Sequence, residues 1–230
     1  RFEDARTIVS DSARVRARRM VVATGSRAAM PPIPGLDRVG ALTNETIFDI
    51  PELPRHLIVL GGGAIGVELG QAFRRLGSQV TIVEALTALG TSDREAAEIV
   101  LTRLRTEGVE VLEGWRAQSA NLHADGIALD LLGPPASSPA VDTTRAVDSF
   151  ARTAAGKDAG GPRTTLTGSH LLVAAGRAPN FDGLELEQAG IAFDKRALTT
   201  SPTLRSTSNP NVWALGDAAG GGFTHTAGWH

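Results

Sequence analysis

The chain contains no cysteine, which excludes disulfides, thiolate catalysis and cysteine-ligated metal sites within it. No apolar run reaches the ~18–20 residues needed to cross a bilayer. No signal peptide is visible in the first residues. There is no Lys/Arg cluster interleaved with aromatics, and the net charge is only −2. Nucleic acid and membrane are therefore not expected partners, and a cytoplasmic location is the default expectation. His56, His123, His170, His225 and His230 show no metal-ligand spacing, although the last two lie close together, so no metal is expected. No Met precedes Arg1, and Thr224–His230 reads as the opening turns of a helix. The expectation is a piece of a longer protein.

What is present is enough apolar residue for a core. At 230 residues and 42% hydrophobic, the chain suffices for one large domain or two small ones. Its most basic stretch, Arg14-Val15-Arg16-Ala17-Arg18-Arg19, alternates polar and apolar. That pattern reads first as a half-exposed strand, with an anion-binding patch as the other reading.

The run from His56 to Gly70 carries the most information. An apolar strand, His56–Leu60, enters Gly61, Gly63 and Gly66 at GxGxxG spacing, and a helical pattern follows over Ala64–Leu76. A second apolar strand, Val80–Val83, ends on Glu84, about 20 residues further on, as in dinucleotide pockets. Gly61 allows a sharp turn off the strand. Gly63 leaves room for a pyrophosphate against the backbone. Gly66 and Gly70 let the helix lie close to the sheet. The helix N-terminus offers N–H groups and partial positive charge to the phosphates. A glycine turn without a ligand is the alternative.

The surrounding pattern is an alternation of strands and helices. Asp93–Glu107 has helical periodicity, with Ser92 or Asp93 as cap and Gly108 as terminator, and Val109–Leu112 reads as a third strand. Such alternation implies a parallel sheet covered by helices. Gln118–Leu122 and Gly126–Leu131 read as strands of a small meander. Residues 133–165 are rich in Pro, Gly, Ala, Ser and Thr and read as a surface insertion, with a helix over Thr144–Ala155 as an option. Ahead of the glycine run, Ala5–Val9, Ala13–Arg18 and Met20–Ala23 read as strands. Met30–Gly35 is a proline-rigid turn, and Pro51–Pro54 a domain crossover. Three strands end alike, in Ala23-Thr24-Gly25, Ala174-Ala175-Gly176 and Ala214-Leu215-Gly216. Bare strand ends of this kind admit a chain or ligand. Their echo points to two related nucleotide-binding units.

These motifs, in their order, resemble the flavin-dependent pyridine nucleotide–disulfide oxidoreductases. The resemblance rests on Ala23-Thr24-Gly25-Ser26, on Gly61–Gly70, on Ala174-Ala175-Gly176-Arg177-Ala178-Pro179-Asn180, and on Ala214-Leu215-Gly216-Asp217. It covers nearly all of the chain except residues 133–165. Thr43-Asn44-Glu45-Thr46 and Phe223-Thr224-His225-Thr226-Ala227 look most like the mercuric-reductase-like branch.

The resemblance implies an α/β fold: a Rossmann-like three-layer dinucleotide-binding domain with a β-meander, inserted in a partial second, FAD-binding domain of the same type. Residues 1–50 would be the first FAD segment, 51–176 the NAD(P) domain and 177–230 the second FAD segment. Asp217, after Gly216, matches the residue that bonds the ribityl and pyrophosphate region of FAD, and Thr24 and Gly25 match backbone lining the flavin site. Glu68 matches a helix carboxylate near the nicotinamide, and Ile65, Ala175 and Gly176 match residues close to that ring. For Asp217 an ordinary turn aspartate, and for Glu68 a solvated helix residue, are the alternatives. His225 falls where the family starts a helix near the isoalloxazine.

A strand-end carboxylate accepts hydrogen bonds from the adenosine ribose and repels a 2′-phosphate. Glu84 stands there, and no Lys or Arg lies between Ala85 and Asp93. NAD is expected ahead of NADP, in contrast to the NADPH preference usual in the mercuric-reductase and glutathione-reductase branches. A Glu84 that merely faces solvent is the alternative.

The resemblance also marks what these residues do not contain: a second GxGxxG, a redox cysteine pair, and a dimerisation domain with its catalytic histidine. No catalytic residue is therefore assigned. The expected parent is a homodimeric FAD enzyme passing hydride from NAD(P)H to flavin and on to a disulfide, metal ion or other acceptor. The chain itself is expected to bind nicotinamide dinucleotide and to be inactive. The alternative is a stand-alone, non-catalytic dinucleotide-binding module.

Overall fold

A computed structural model describes residues 1–124, 126–135 and 161–220. Contacts divide the chain into two compact units, Ala28–Gly176 and a second made of Arg1–Arg27 with the residues from Arg177 onward. Short strands come first: β1 (Phe2–Asp4), β2 (Thr7–Val9), β3 (Arg14–Arg16), β4 (Met20–Val22) and β5 (Ser26–Ala28). The central unit follows with β6 (His56–Leu60), α1 (Ala64–Leu76), β7 (Gln79–Glu84), α2 (Arg94–Thr106), β8 (Glu110–Glu113), β9 (Arg116–His123), β10 (Gly126–Leu132), β11 (Arg163–Gly168) and β12 (His170–Val173). β13 (Arg177–Pro179) and β14 (Val212–Ala214) close the series.

In the central unit a four-stranded sheet runs in the order β12-β6-β7-β8, every pair parallel. Alternation along each strand sends side chains to two different cores. Leu57, Val59, Val80, Ile82 and Leu172 pack with Val67 and Phe73 of α1 and Leu101 and Leu104 of α2. Ile58, Leu60, Val83, Leu171 and Val173 pack with Leu129, Leu131 and Leu166 of an antiparallel meander, β11-β10-β9. The layers are therefore helices, parallel sheet and meander. A sheet covered on both faces favours strands with long apolar runs, and residues 57–60 of β6 are such a run.

The helices start and stop on local signals. The Asp93 side chain accepts the Ala96 N–H at 3.0 Å and caps α2. Gly77, at φ 116°, ends α1. Thr81, fully buried in β7, is satisfied between His56 Nε2 at 3.0 Å and the Glu110 carboxylate at 2.9 Å. Burial pushes His56 down and Glu110 up from their ordinary pKa values.

Three expectations need correction. Residues 28–50 belong by contact with the central unit, not with the flanking segment. Leu42 extends the sheet beside β12, its N–H bonding Leu171 O at 2.7 Å and its carbonyl accepting Val173 N–H at 2.8 Å. Ile47 is fully buried on the helix side, and Leu36 and Val39 on the meander side. Second, the stretch read as an insertion over 133–165 stops short of 165, because β11 begins at Arg163. Thr165 Oγ1 donates to Asp130 across the meander at 2.7 Å, and Ser119 Oγ donates to the same carboxylate from β9 at 2.6 Å. The possible helix over Thr144–Ala155 lies outside the described residues. Third, the strand expected from Ala5 starts at Thr7. The Asp4 carboxylate accepts the Arg6 N–H at 2.7 Å and the Thr7 hydroxyl at 2.9 Å, which makes a turn of residues 4–6.

In the second unit β1-β2-β3 form an antiparallel sheet, and β14 and β4 a parallel pair. Their core gathers Phe2, Met20, Val22, Leu186, Ile191, Leu198 and Val212.

The C-terminal ends of α1 and α2 are joined by one carboxylate. Glu107 accepts from Arg75 Nη2 at 2.8 Å, from Arg103 Nε at 2.6 Å and from Gln71 at 3.2 Å. Bonding to Arg75, reinforced by Arg103 and Gln71, lowers its pKa to about 2. Because the folded value lies below the unfolded one, this contribution to stability is present above pH 4.5 and is lost as pH falls toward 2. We expect Glu107→Gln to flatten that part of the profile, measured as urea midpoints between pH 5 and the acid limit.

Candidate functional site

Gly61, Glu84, Ala175 and Gly176 all stand at or just beyond the carboxyl ends of parallel strands, the edge where ligands of open α/β sheets bind. Gly61 turns off β6 at φ 115°, and a Cβ on it would lie 2.4 Å from Ala174 O and 2.8 Å from Ala175 N. The end of β12 is thus pressed against the glycine turn. A Cβ on Gly66 would meet Gly61 O at 2.0 Å, so α1 starts directly against the turn it leaves. Gly70 continues this face: a Cβ on it would lie 3.2 Å from Ile82 Cδ1. Gly63 differs: nothing lies within 4 Å of a Cβ built on it. It is exposed, as is Ala64, and it stands at the N-cap with no side-chain cap on α1. The first N–H groups of α1 thus have no side-chain cap and stand beside an exposed glycine whose Cβ position is open. That arrangement fits a phosphate group.

Glu84 is fixed rather than free. Its Oε2 accepts the Gly62 N–H and its Oε1 the Leu86 N–H, each at 2.8 Å. Each oxygen keeps a second lone pair for a hydroxyl donor. Arg94, one position beyond the stretch free of basic residues, donates to Ala88 O at 3.2 Å and lies 3.8 Å from the Glu98 carboxylate. Its charge is already engaged.

Of the remaining candidates in this unit, Ile65 is half-buried and Glu68 exposed on α1. Glu68 has no hydrogen-bond or ion-pair partner among the described residues. Ala175 and Gly176 are exposed beyond β12.

Thr24, Gly25, Gly216 and Asp217 gather in the other unit, after β4 and β14. Asp217 is 6% exposed. The Ser26 hydroxyl donates to Asp217 Oδ2. Arg177 donates to Ser26 Oγ at 2.6 Å and to Ser26 O at 2.7 Å, with its Nε 3.7 Å from Asp217 Oδ2. Asn180 donates to Thr24 O at 3.0 Å. The second carboxylate oxygen of Asp217 takes no hydrogen bond among the described residues, which fits acceptance of a ligand hydroxyl. Ser26 and Arg177 entered the sequence motifs without a role; Ser26 gains one by its bond to Asp217, and Arg177 by its bond to Ser26 and its charge 3.7 Å from the carboxylate. Glu113, which accepts the buried Ala88 N–H at 2.8 Å, was also missed. Its signal was available, because it ends the third parallel strand as Glu84 ends the second. His225 lies outside the described residues. Among the described residues no group of three or more His, Cys, Asp or Glu is placed to hold a metal, and no helix is long and apolar enough to cross a membrane.

The family model described as pyridine nucleotide-disulphide oxidoreductase matches residues 1–230. This chain belongs to that family. Dihydrolipoyl dehydrogenase 3 of Pseudomonas aeruginosa is 36% identical over 212 residues, which are 91% of this chain and 40% of that protein. Mercuric reductase of Streptomyces lividans is 31% identical over 206 residues, 90% of this chain and 38% of that one. Among solved structures, the HOCl-induced flavoprotein disulfide reductase RclA of Escherichia coli superposes with a TM-score of 0.77 at 27% identity, covering 98% of this chain and 46% of that one. The chain thus spans about 40% of the length of the curated relatives it matches. Its Rossmann-like α/β fold is that of the family.

The glycines separate by what surrounds them, and stability should follow. Gly61→Ala places a side chain on backbone at a left-handed φ, and should lower stability by more than about 2 kcal/mol. At Gly63 a Cβ meets no atom within 4 Å, and Gly63→Val should stay within about 1 kcal/mol of the parent. Urea unfolding of both variants checks the contrast.

Proposed function

We propose that the central unit, Ala28–Gly176, binds a nicotinamide dinucleotide at the carboxyl edge of its sheet, with NAD preferred to NADP. The observation that carries this reading is the open space over Gly63 at the uncapped start of α1, with a fixed strand-end carboxylate alongside. The pyrophosphate would rest on the first N–H groups of α1, above Gly63, Ala64 and Ile65. The Glu84 oxygens would accept the two ribose hydroxyls. Ile65, Glu68, Ala175 and Gly176 would lie on the nicotinamide side. In the second unit Asp217, held by Ser26 and Arg177, would accept a hydroxyl of the FAD ribityl chain beside Thr24, Gly25 and Gly216.

In the whole protein the two cofactors would supply hydride and electron transfer from NADH through flavin to a disulfide, metal ion or other acceptor. The contribution of these residues is to bind and orient. The 230 residues contain no cysteine, so we infer binding without turnover by this chain. Isothermal titration with NADH should show saturable binding, and Gly63→Val should abolish it while the protein stays folded. Normal binding by that variant would mean that the phosphates lie elsewhere.

The preference for NAD follows from charge. Two unit charges of like sign 4 Å apart repel by about 4 kcal/mol at an effective dielectric constant of ~20, and a 2′-phosphate would sit against Glu84. We expect Glu84→Arg to move the NADH:NADPH affinity ratio toward NADPH by at least about tenfold. An unchanged ratio would remove Glu84 as the ribose reader.

A further inference from the structure

The loop that follows Glu84 is held from several sides. Leu86 O accepts the Gly114 N–H at 3.0 Å, Glu84 O accepts the Trp115 N–H at 3.0 Å, and the Leu89 N–H bonds Gly62 O at 2.8 Å. At the centre of the loop stands Ala88, fully buried. Both polar groups of that residue are taken by charged side chains. Its N–H donates to Glu113 Oε1 at 2.8 Å and its carbonyl accepts from Arg94 Nη1 at 3.2 Å. The next residue, Leu89, adopts φ 52° without being glycine. A side chain in that region persists only where its surroundings impose it.

Glu113 is itself set firmly. It is 8% exposed, and its Oε2 accepts from Arg105 Nη2 at 3.0 Å. Arg105 also reaches Glu98 at 3.4 Å. Ala88 in turn touches the phosphate turn: a Cβ built on Gly62 would lie 3.1 Å from the Ala88 Cβ and 3.1 Å from the Glu84 Cβ. A chain of contacts therefore runs from Arg105 through Glu113 and Ala88 to Gly62 and Glu84.

We propose that Glu113 is a positioning residue for the adenosine half of the dinucleotide: its bond to the Ala88 N–H sets the loop that holds Glu84 and Gly62 in the geometry that reads the ribose. The inference rests on the dinucleotide reading above and deepens it. Affinity and the choice between 2′-hydroxyl and 2′-phosphate thereby depend on the strand next to the one that carries Glu84. Glu113 has no contact with the ligand in this scheme and acts through Ala88.

The test uses the 230-residue chain with ADP-ribose and 2′-phospho-ADP-ribose as probes, in Glu113→Ala and Glu113→Gln. The amide oxygen of Gln still accepts the Ala88 N–H; Ala leaves that buried donor without a partner. Glu113→Ala should weaken ADP-ribose binding by about tenfold and bring the two dissociation constants closer together, while Glu113→Gln stays within about threefold of the parent. Without ligand, hydrogen exchange of the Ala88 amide should speed up at least about tenfold in Glu113→Ala, with Val59 and Ile82 unchanged.

A folded Glu113→Ala that binds both probes like the parent, with unaltered Ala88 exchange, overturns the proposal. So does an equal loss in both variants that leaves the ratio of the two probes untouched, because that is the signature of a merely structural carboxylate. If the parent chain binds no ADP-ribose, the dinucleotide reading itself falls and this inference with it. That outcome is distinct from failure of the Glu113 contact alone, in which the parent binds and Ala88 exchange does not move.

Discussion

The central unit depends on how closely backbone meets backbone at Gly61. The end of β12 approaches the turn so closely that a single added carbon would lie 2.4 Å from Ala174 O, and the first turn of α1 presses on the carbonyl of Gly61 itself. Side chains are excluded there, so strand end, turn and helix start pack as bare main chain. Such packing leaves the start of α1 without a side-chain cap, and it brings the ends of β6, β7 and β12 to one edge. Burial on both faces of the sheet holds the edge in place. The helices cover Leu57, Val59 and Ile82, and the meander covers Ile58, Leu60 and Val83.

Much of this was legible because the local signals agree with the tertiary structure. The helix over Ala64–Leu76, its glycines and the strand before Glu84 stand in the structure where the sequence puts them, and of the two offered caps, Ser92 and Asp93, it is Asp93 that serves. A buried parallel strand and an amphipathic helix each write their burial directly into the order of residues. What stayed hidden were features fixed by long-range pairing. β11 lies in a Ser/Thr-rich stretch whose composition reads as loop; it becomes a strand because Thr164–Gly168 pairs with Ile127–Leu131. The path of residues 28–50 carries no periodicity, and only the burial of Leu36, Val39 and Ile47 against the two faces of the sheet assigns it. In the site, Glu84 and the glycines were visible from spacing. The roles of the partners Ser26 and Arg177 were not, because they arise from contacts between distant segments; the strand-end position of Glu113 was visible, but its bond to the Ala88 N–H was not.

The two units solve a similar problem with different means. After β6 the proposed ligand side is main chain alone, offered by a helix start. After β4 and β14 it is a buried carboxylate, with Ser26 and Arg177 setting its orientation. Asp217 with Arg177 beside it is nearly neutral as a pair, which suits a ligand hydroxyl better than a ligand charge. The strand ends Ala23-Thr24-Gly25 and Ala214-Leu215-Gly216 repeat the small residues of Ala174-Ala175-Gly176 for the same steric reason: each leaves room at the end of a parallel strand.

The two backbone bonds of Glu84 have an evolutionary consequence. A mutation that replaces this carboxylate with a cation also strips the buried Gly62 N–H of its acceptor, and that orphaned donor costs about 1–3 kcal/mol. If Glu84 reads the ribose as proposed above, a lineage cannot pass from one coenzyme to the other by a single neutral step at this position. It needs a prior change that satisfies the turn by another route, and until that change occurs the glycine loop itself resists the switch.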